Sequence, residues 1–317
     1  MTLIGQREHG RRSHLAVVSD EQKDSSPKAS KEIFDVNVIS CWGPSGSPGK
    51  STLAANLACE MALLGQRVLL IDLDTLAPSL AITLGLVDTP AGLSACLRLA
   101  EQSRLTIDEF HRLTVGIQVG RHNLRFMSGL SSPARWREVT ISRVSMLLSV
   151  LKNEVDQVVL DLPQATNFQT NLNHPSAISV REESSRDSLL IEVLERSAKV
   201  VLVTGSDPIA AHRFLEAKDY FDNNIQSSNP YLVVNRFRAS ALGPRAKAEL
   251  QETYLSLAKA RIDYFIPDEP VNFDRALLNG IPLALLKRSS PARKAISELA
   301  RALLLDSASG DALAKLS

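Results

Sequence analysis

The chain has 317 residues, of which 44% are hydrophobic, and it carries 36 basic and 35 acidic side chains. A chain of this length can bury one large α/β core, and the lack of a long uncharged apolar run excludes a transmembrane helix. Because the net charge is close to zero, the composition does not favour strong nonspecific attraction to DNA or to an acidic membrane surface.

The N-terminal segment, residues 1–32, is polar and lacks apolar periodicity, which predicts a disordered arm. It contains no continuous apolar core before a small-residue cleavage site, so no secretory signal is predicted. Cys41, Cys59 and Cys96 form no metal-ligand cluster and suit a reduced cytosol. We therefore expect a cytoplasmic protein with a single folded domain at residues 33–317.

A strand, a loop with two glycines and a long helix open this domain. Residues 36–40 alternate as in a strand, and apolar residues recur at helical spacing after the loop until Gly65. Within the loop, residues 41–52, Gly46 and Gly49 allow backbone conformations that direct successive N–H groups at an anion. The following helix adds the positive end of its dipole, so the segment predicts a phosphate-binding loop.

The last residues of the loop supply the chemistry of a nucleoside triphosphate site. Lys50 is expected to reach the β and γ phosphates, and the Ser51 hydroxyl is the natural magnesium ligand. The usual Walker spacing requires glycine at position 44, where this chain has Pro44. A shorter pattern fits better, and it lies across Ser45-Gly46-Ser47-Pro48-Gly49-Lys50-Ser51-Thr52.

That pattern resembles the deviant Walker A motif of the MinD/ParA family of P-loop ATPases, Lys-Gly-Gly-x-Gly-Lys-Ser/Thr-Thr. The resemblance implies ATP and Mg²⁺ as ligands, an ATP-dependent homodimer, and Lys50 as a catalytic residue. One departure is that Ser45 replaces the family's first lysine, which crosses the dimer interface to the partner's phosphates. The resemblance assigns nucleotide binding to Gly46, Ser47, Pro48, Gly49, Lys50, Ser51 and Thr52.

Two apolar runs end in acids, as expected of buried parallel strands that deliver carboxylates to one sheet edge. Residues 67–74 end in Asp72 and Asp74, and residues 158–163 contain Asp161 followed by Pro163. By resemblance, Asp74 is the switch I aspartate that positions the attacking water. Asp161 is similar to the Walker B aspartate, which holds magnesium opposite Ser51. By the same resemblance, Ser51, Asp161 and Asp72 are the residues expected at the magnesium site.

Between these runs, residues 92–113 predict helices, residues 124–127 a short strand, and residues 141–151 an amphipathic helix. The intervening Gly129-Leu130 and Arg135-Trp136, followed by the helix and the acidic strand end, resemble the CpaE-like branch of the family from actinobacteria. That branch is associated with Flp or tight-adherence pili and with secretion.

The polar stretch at about residues 164–186 predicts a flexible insertion, either a partner loop or a tolerated insert. Residues 199–204 and 231–236 predict further strands. At the end of the second, Asn235 and Arg236 resemble the family's base-recognising pair, and Pro267 and Asp268 resemble its second purine-side element. Asn235 is open to another interpretation, as the cap of a turn.

Strands alternate with helices, which predicts one doubly wound α/β fold with a mostly parallel sheet and helices on both faces. The first hypothesis is an ATPase that acts as a dimerisation switch for positioning a pilus or secretion apparatus, at the inner face of the membrane through protein partners. Hydrolysis is expected to be slow without the crossing lysine. The alternatives are an ATP-binding scaffold with little hydrolysis, a ParA-like partitioning protein with weak DNA association, and a MinD-like septum-site ATPase.

Overall fold

One sheet of eight strands organises the part of the chain that the structure describes, residues 33–46, 48–165, 177–226, 230–239 and 243–314 of a computed structural model. The strand order is β3-β4-β2-β5-β1-β6-β7-β8. The antiparallel pair β3–β4 lies at one edge, and the other neighbouring pairs are parallel. The strands are β1 Asn37–Trp42, β2 Val68–Asp72, β3 Val115–Val119, β4 His122–Met127, β5 Gln157–Asp161, β6 Lys199–Thr204, β7 Tyr231–Phe237 and β8 Tyr264–Pro267.

Helices connect the parallel strands, because a parallel pair needs a crossover. The helices after β1 and β2 are α1 Lys50–Leu63, α2 Leu80–Thr83, α3 Gly92–Glu101 and α4 Ile107–Leu113. A 3₁₀ turn at Pro133–Glu138 precedes α5 Ile141–Leu151, and α6 Ala177–Arg196 leads to β6. The remaining helices are α7 Pro208–Asn224, α8 Ala246–Ala258, α9 Pro270–Leu278, α10 Leu283–Leu286 and α11 Pro291–Ala314.

The two faces of the sheet carry separate apolar cores, because successive strand residues point to opposite faces. On β1, Val38 and Trp42 belong to one core, and Ile39 and Cys41 belong to the other. The first core includes apolar residues of α3, α5, α6 and α7, and the second includes those of α1 and α11. The prediction of a doubly wound, mostly parallel sheet is therefore confirmed.

Several elements differ from the sequence-based expectation. Strand β3 was not predicted. The first 32 residues and residues 166–176 lie outside the described part of the chain. The proposed insertion at 164–186 therefore cannot all be loop, since α6 begins at Ala177.

Two glycines bring distant loops into direct backbone contact. Gly85 follows α2 and Gly280 precedes α10, and both have a left-handed backbone, with φ of 65° and 60°. A β-carbon on Gly85 would lie 3.1 Å from the Cα of Gly280. Nearby, the N–H of Leu283 donates to Oδ1 of Asn56 on α1 at 2.7 Å. The loop after α2, the start of α10 and helix α1 are therefore joined through short contacts.

Candidate functional site

The predicted phosphate loop joins the end of β1 to α1, and Gly49 caps the helix. Gly46 and Gly49 both have left-handed backbones, with φ of 98° and 84°. A β-carbon on Gly49 would overlap Nδ2 of Asn235, so glycine is required there for space as well as for conformation. Ser47 lies outside the described residues.

Strand register explains why distant carboxylates meet at this loop. Asp161 is the register partner of Cys41 on one side and of Asp72 on the other. Asp72 and Asp161, the last residues of β2 and β5, therefore lie side by side at the sheet edge where α1 begins. The sequence argument that parallel strands bring their acidic ends together is correct for Asp72 and Asp161.

Lys50, the first residue of α1, lies among these acids. Its Nζ is 3.4 Å from Oδ2 of Asp74 and 3.6 Å from Oδ1 of Asp161, and it also donates to the carbonyl oxygen of Leu162. Its side chain is 11% exposed. A buried ammonium is thus held by two carboxylates and one carbonyl.

The electrostatics of the cluster are set by burial. Burial raises the pKa of Asp161 above its usual range, although the Lys50 ammonium opposes the shift. Burial and the charge of Asp161 raise the pKa of Asp72 to about 7. Burial alone would lower the pKa of Lys50, but Asp161 and Asp74 outweigh it, so the pKa of Lys50 is raised. Three carboxyl groups therefore surround one ammonium in a buried site.

Asp72 and Asp74 also hold the segment after β2. Oδ2 of Asp72 accepts from the backbone N–H groups of Ser79 and Leu80, both at 2.9 Å. Oδ1 of Asp74 accepts from Leu76 and Ala77, also at 2.9 Å. Assignment of Asp72 to magnesium stays a prediction, because its carboxylate is here a buried acceptor that shapes this segment.

Asp161 fits the role of a magnesium residue better. It is fully buried, and neither of its carboxylate oxygens has a hydrogen-bond partner of ordinary geometry among the described residues. Buried oxygens without donors are costly unless a cation or water compensates for them. Carboxylate and hydroxyl oxygens are the ligands that Mg²⁺ prefers, so Asp161 with Ser51 would hold this ion.

Two clefts flank the loop. The smaller, about 380 Å³, contains Lys50, Ser51 and Asp74, and Thr52 lines both. The larger, about 690 Å³, runs from the loop past the start of α7 towards the end of β8. The smaller cleft has the residues for magnesium and the terminal phosphates. The larger cleft also reaches Gly46 and Gly49 of the loop, so it has room for a nucleoside and for phosphate beside the loop. The larger is lined by Ser45, Gly46, Gly205, Arg213, Asn235, Arg236, Asp268 and Phe273, among others.

The residues assigned to base recognition reach the larger cleft in different ways. Nδ2 of Asn235 donates to the carbonyl of Pro48 at 2.8 Å, so this amide supports the loop. Arg236 has a left-handed φ of 54°, and its carbonyl accepts from the Ser206 hydroxyl at 2.9 Å. Asp268 lines the cleft, whereas Pro267 is not among the described residues that do. Base recognition by these residues stays a prediction.

One cleft residue was missed by the sequence analysis. Arg213 on α7 lies against Gly46, where a β-carbon would overlap its Nη1. No local motif marks this arginine, because its position depends on the packing of α7 beside the loop.

Comparisons with known proteins agree with this geometry. The model of the CobQ/CobB/MinD/ParA nucleotide binding domain matches residues 39–282. An iron-sulfur cluster carrier protein of Aquifex aeolicus is 30% identical over 138 residues, 41% of this chain and 33% of that protein. An uncharacterised ATP-binding protein of Methanocaldococcus jannaschii is 24% identical over 270 residues, 82% of this chain and 84% of that protein.

Solved structures show the same fold at low identity. A ParA family ATPase from Chlorobium tepidum superposes with a TM-score of 0.64 at 17% identity, covering 83% of this chain and 98% of that one. MinD with Mg-ADP from Pyrococcus horikoshii gives 0.59 at 19% identity, covering 84% and 94%. The chain spans 33% and 52% of the first two curated relatives it matches, both iron-sulfur cluster carriers.

Proposed function

Because the chain belongs to the CobQ/CobB/MinD/ParA nucleotide binding domain family, we propose that it is a magnesium-dependent ATPase that switches a homodimer on and off. The observation that carries this proposal is the position of Lys50 at the start of α1, between Asp74 and Asp161 and beside the left-handed Gly49. A single ammonium at a helix N-terminus, with acids on the adjacent strand ends, suits phosphoryl transfer.

Each residue of the cluster has a distinct task in this proposal. The backbone N–H groups of the loop and the Lys50 ammonium bind the phosphates. The phosphates therefore compete with the Asp74 carboxylate for the Lys50 ammonium. Ser51 and Asp161 would hold magnesium, which would supply charge neutralisation for the bound triphosphate. Asp74 accepts a hydrogen bond from the attacking water, since Lys50 no longer occupies its Oδ2.

We further propose that the dimer positions a pilus or secretion apparatus through protein partners. This assignment is supported by the CpaE-like pattern around Gly129 and Trp136. Trp136 is buried in the core, with Arg137 and Arg186 over its ring at 5.1 and 4.9 Å. No helix within the described residues is both long and apolar enough to cross a membrane.

A scaffold that binds ATP with little hydrolysis is the second candidate, and Ser45 favours it. This serine lines the larger cleft and offers no positive charge to a partner's phosphates. Loss of one cation from a phosphoryl-transfer site lowers turnover far more than it lowers affinity, because the charge is needed most in the transition state.

The iron-sulfur carriers among the relatives suggest a third possibility, which the cysteines do not favour. Cys41, Cys59 and Cys96 are all buried. Burial raises the pKa of Cys59 and Cys96 to about 12, and the thiolate is the form that binds metal. Within the described ranges, no group of three His, Cys, Asp or Glu residues is arranged to hold a metal ion.

Partitioning of DNA is not favoured by the basic residues near β7. Arg238 pairs with Asp268 at 3.6 Å. Lys247 lies over the rings of Phe237 and Phe265, at 5.7 and 5.4 Å. Salt-sensitive retention of the protein on DNA only when ATP is present would support partitioning instead.

Phosphate release with MgATP tests the proposed activity directly, with wild type, Lys50→Ala and Asp74→Ala compared at equal concentration. We expect ATP binding by wild type and Asp74→Ala, and turnover by wild type alone. Wild-type binding without turnover identifies the scaffold. Magnesium-dependent phosphate release that survives both substitutions refutes the catalytic assignment.

A further inference from the structure

Arg213 brings a guanidinium from α7 to the phosphate loop of its own chain. Helix α7 follows β6, the neighbour of β1, so its first turns lie beside the loop that leaves β1. A β-carbon on Gly46 would overlap Nη1 of Arg213. Both residues line the larger cleft, and the side chain of Arg213 is exposed there. The guanidinium thus lies next to the position where Ser45 carries no charge.

The charge of Arg213 is available to a ligand. Arg238, which lines the same cleft, is paired with Asp268 at 3.6 Å. By contrast, Arg213 forms no ion pair with any acid in the described part of the chain. Glu216, three residues further along α7, has its Oε1 4.0 Å from Nδ1 of His212. Asp207, at the start of the helix, uses Oδ1 to accept from the N–H of Ala210 at 3.0 Å.

We infer that Arg213 binds phosphate oxygens of the nucleotide held by the same subunit and supplies the cation that is missing at Ser45. A guanidinium presents a planar set of donors that matches phosphate oxygens, and charge-assisted bonds of this kind are stronger than neutral ones. The inference rests on the proposed function, because it assigns a further ligand of the same nucleotide.

Because the Arg213 guanidinium comes from the same chain as the phosphate loop, it affects how ATP binding is coupled to dimer formation. A lysine that crosses an interface contributes only when a second copy is bound. Arg213 reaches the loop without a partner, so its contribution to ATP affinity is present in the monomer. Nucleotide binding and dimerisation are thereby less tightly coupled than they would be with a crossing lysine.

The test measures the dissociation constant for MgATP by calorimetry between 50 and 500 mM NaCl, with protein shown to be monomeric by sedimentation. The variants are Arg213→Gln, Arg213→Lys, Arg104→Gln and, as the test of the proposed function itself, Lys50→Ala. Arg104 is exposed and lines none of the clefts at the loop, so its substitution removes the same charge elsewhere. Thermal unfolding without nucleotide checks that each variant is folded.

We expect Arg213→Gln to weaken ATP binding about tenfold at low salt, the scale of one charge-assisted hydrogen bond. Its affinity should also depend less steeply on salt, because one ionic contact is lost. Arg213→Lys should recover part of the affinity, and Arg104→Gln should match wild type. Affinity of Arg213→Gln within twofold of wild type, or a loss with an unchanged salt dependence, overturns the inference. If wild type and Lys50→Ala bind ATP equally or not at all, the proposed function itself fails.

Discussion

Replacing Lys50 with alanine should destabilise the protein even without nucleotide. The ammonium faces the carboxylate of Asp161 at 3.6 Å, and the two side chains are 11% and 0% exposed. Removing one partner of a buried pair leaves an uncompensated charge, which costs about 3–5 kcal/mol. In a domain of this size, each kcal/mol lowers the melting temperature by about 2 °C, so we expect a fall of roughly 6–10 °C.

Thermal unfolding by circular dichroism at pH 7.5 measures this effect. Lys294→Ala is the control, because Lys294 is an exposed lysine on α11. The double variant Lys50→Ala/Asp161→Asn removes both charges and should regain at least half of the loss. A Lys50→Ala melting temperature within about 1 °C of wild type would refute the coupling between the ammonium and the buried acids.

The pH dependence of this deficit has a definite sign. Without the ammonium, burial raises the pKa of Asp161 further, so the folded state binds a proton that the unfolded state releases. The deficit should therefore be full and independent of pH above the raised pKa of Asp161 in the variant, and it should shrink as the pH falls through that pKa and the carboxyl takes up a proton.

Three further predictions concern the neighbours of Lys50. The pKa of Asp72 is raised from 3.8 to about 7, so wild-type stability should fall as pH rises through that interval; Asp72→Asn should flatten this part of the profile in urea unfolding, and an unaltered slope would contradict the assignment. Gly49→Ala should abolish ATP binding in calorimetry, because φ is 84° and the added carbon overlaps Asn235; wild-type affinity would disprove the strain argument. Asn235→Ala loses the bond to Pro48, worth about 1 kcal/mol, and should weaken ATP and GTP binding by the same factor; a loss confined to ATP would assign the amide to the base.

The central sheet and its acidic edge could be predicted because local patterns determine them. Strands β1, β2 and β5 are apolar runs, and parallel strands must end together. The meeting of Lys50, Asp74 and Asp161 at one edge of the sheet could therefore be predicted from the order of strands and loops in the sequence. The distances between these side chains could not be predicted. The hydrogen bond from the N–H of Ser79 to Asp72 could not be predicted either, because it depends on backbone geometry that residue patterns do not reveal.

The parts that sequence reasoning missed depend on tertiary contacts. Strand β3 includes Gly116 and pairs antiparallel with β4 at the sheet edge, so it lacks the apolar run of a buried strand. Helix α6 begins in a polar segment that resembles a loop in composition. The position of Arg213 at the phosphate loop, and the bond from the predicted nucleotide residue Asn235 to Pro48, arise from α7 and β7 packing against the loop, more than 150 residues later in the chain.

The contact between Gly85 and Gly280 has a practical consequence for watching the molecule at work. No side chain separates the two backbones, so displacement of the segment held by Asp72 should be passed to the turn before α10 with little loss. Leu278, two residues before Gly280, is 86% exposed. Leu278 lines neither cleft at the phosphate loop, so a fluorophore attached there would give an optical signal for any such displacement when nucleotide is added.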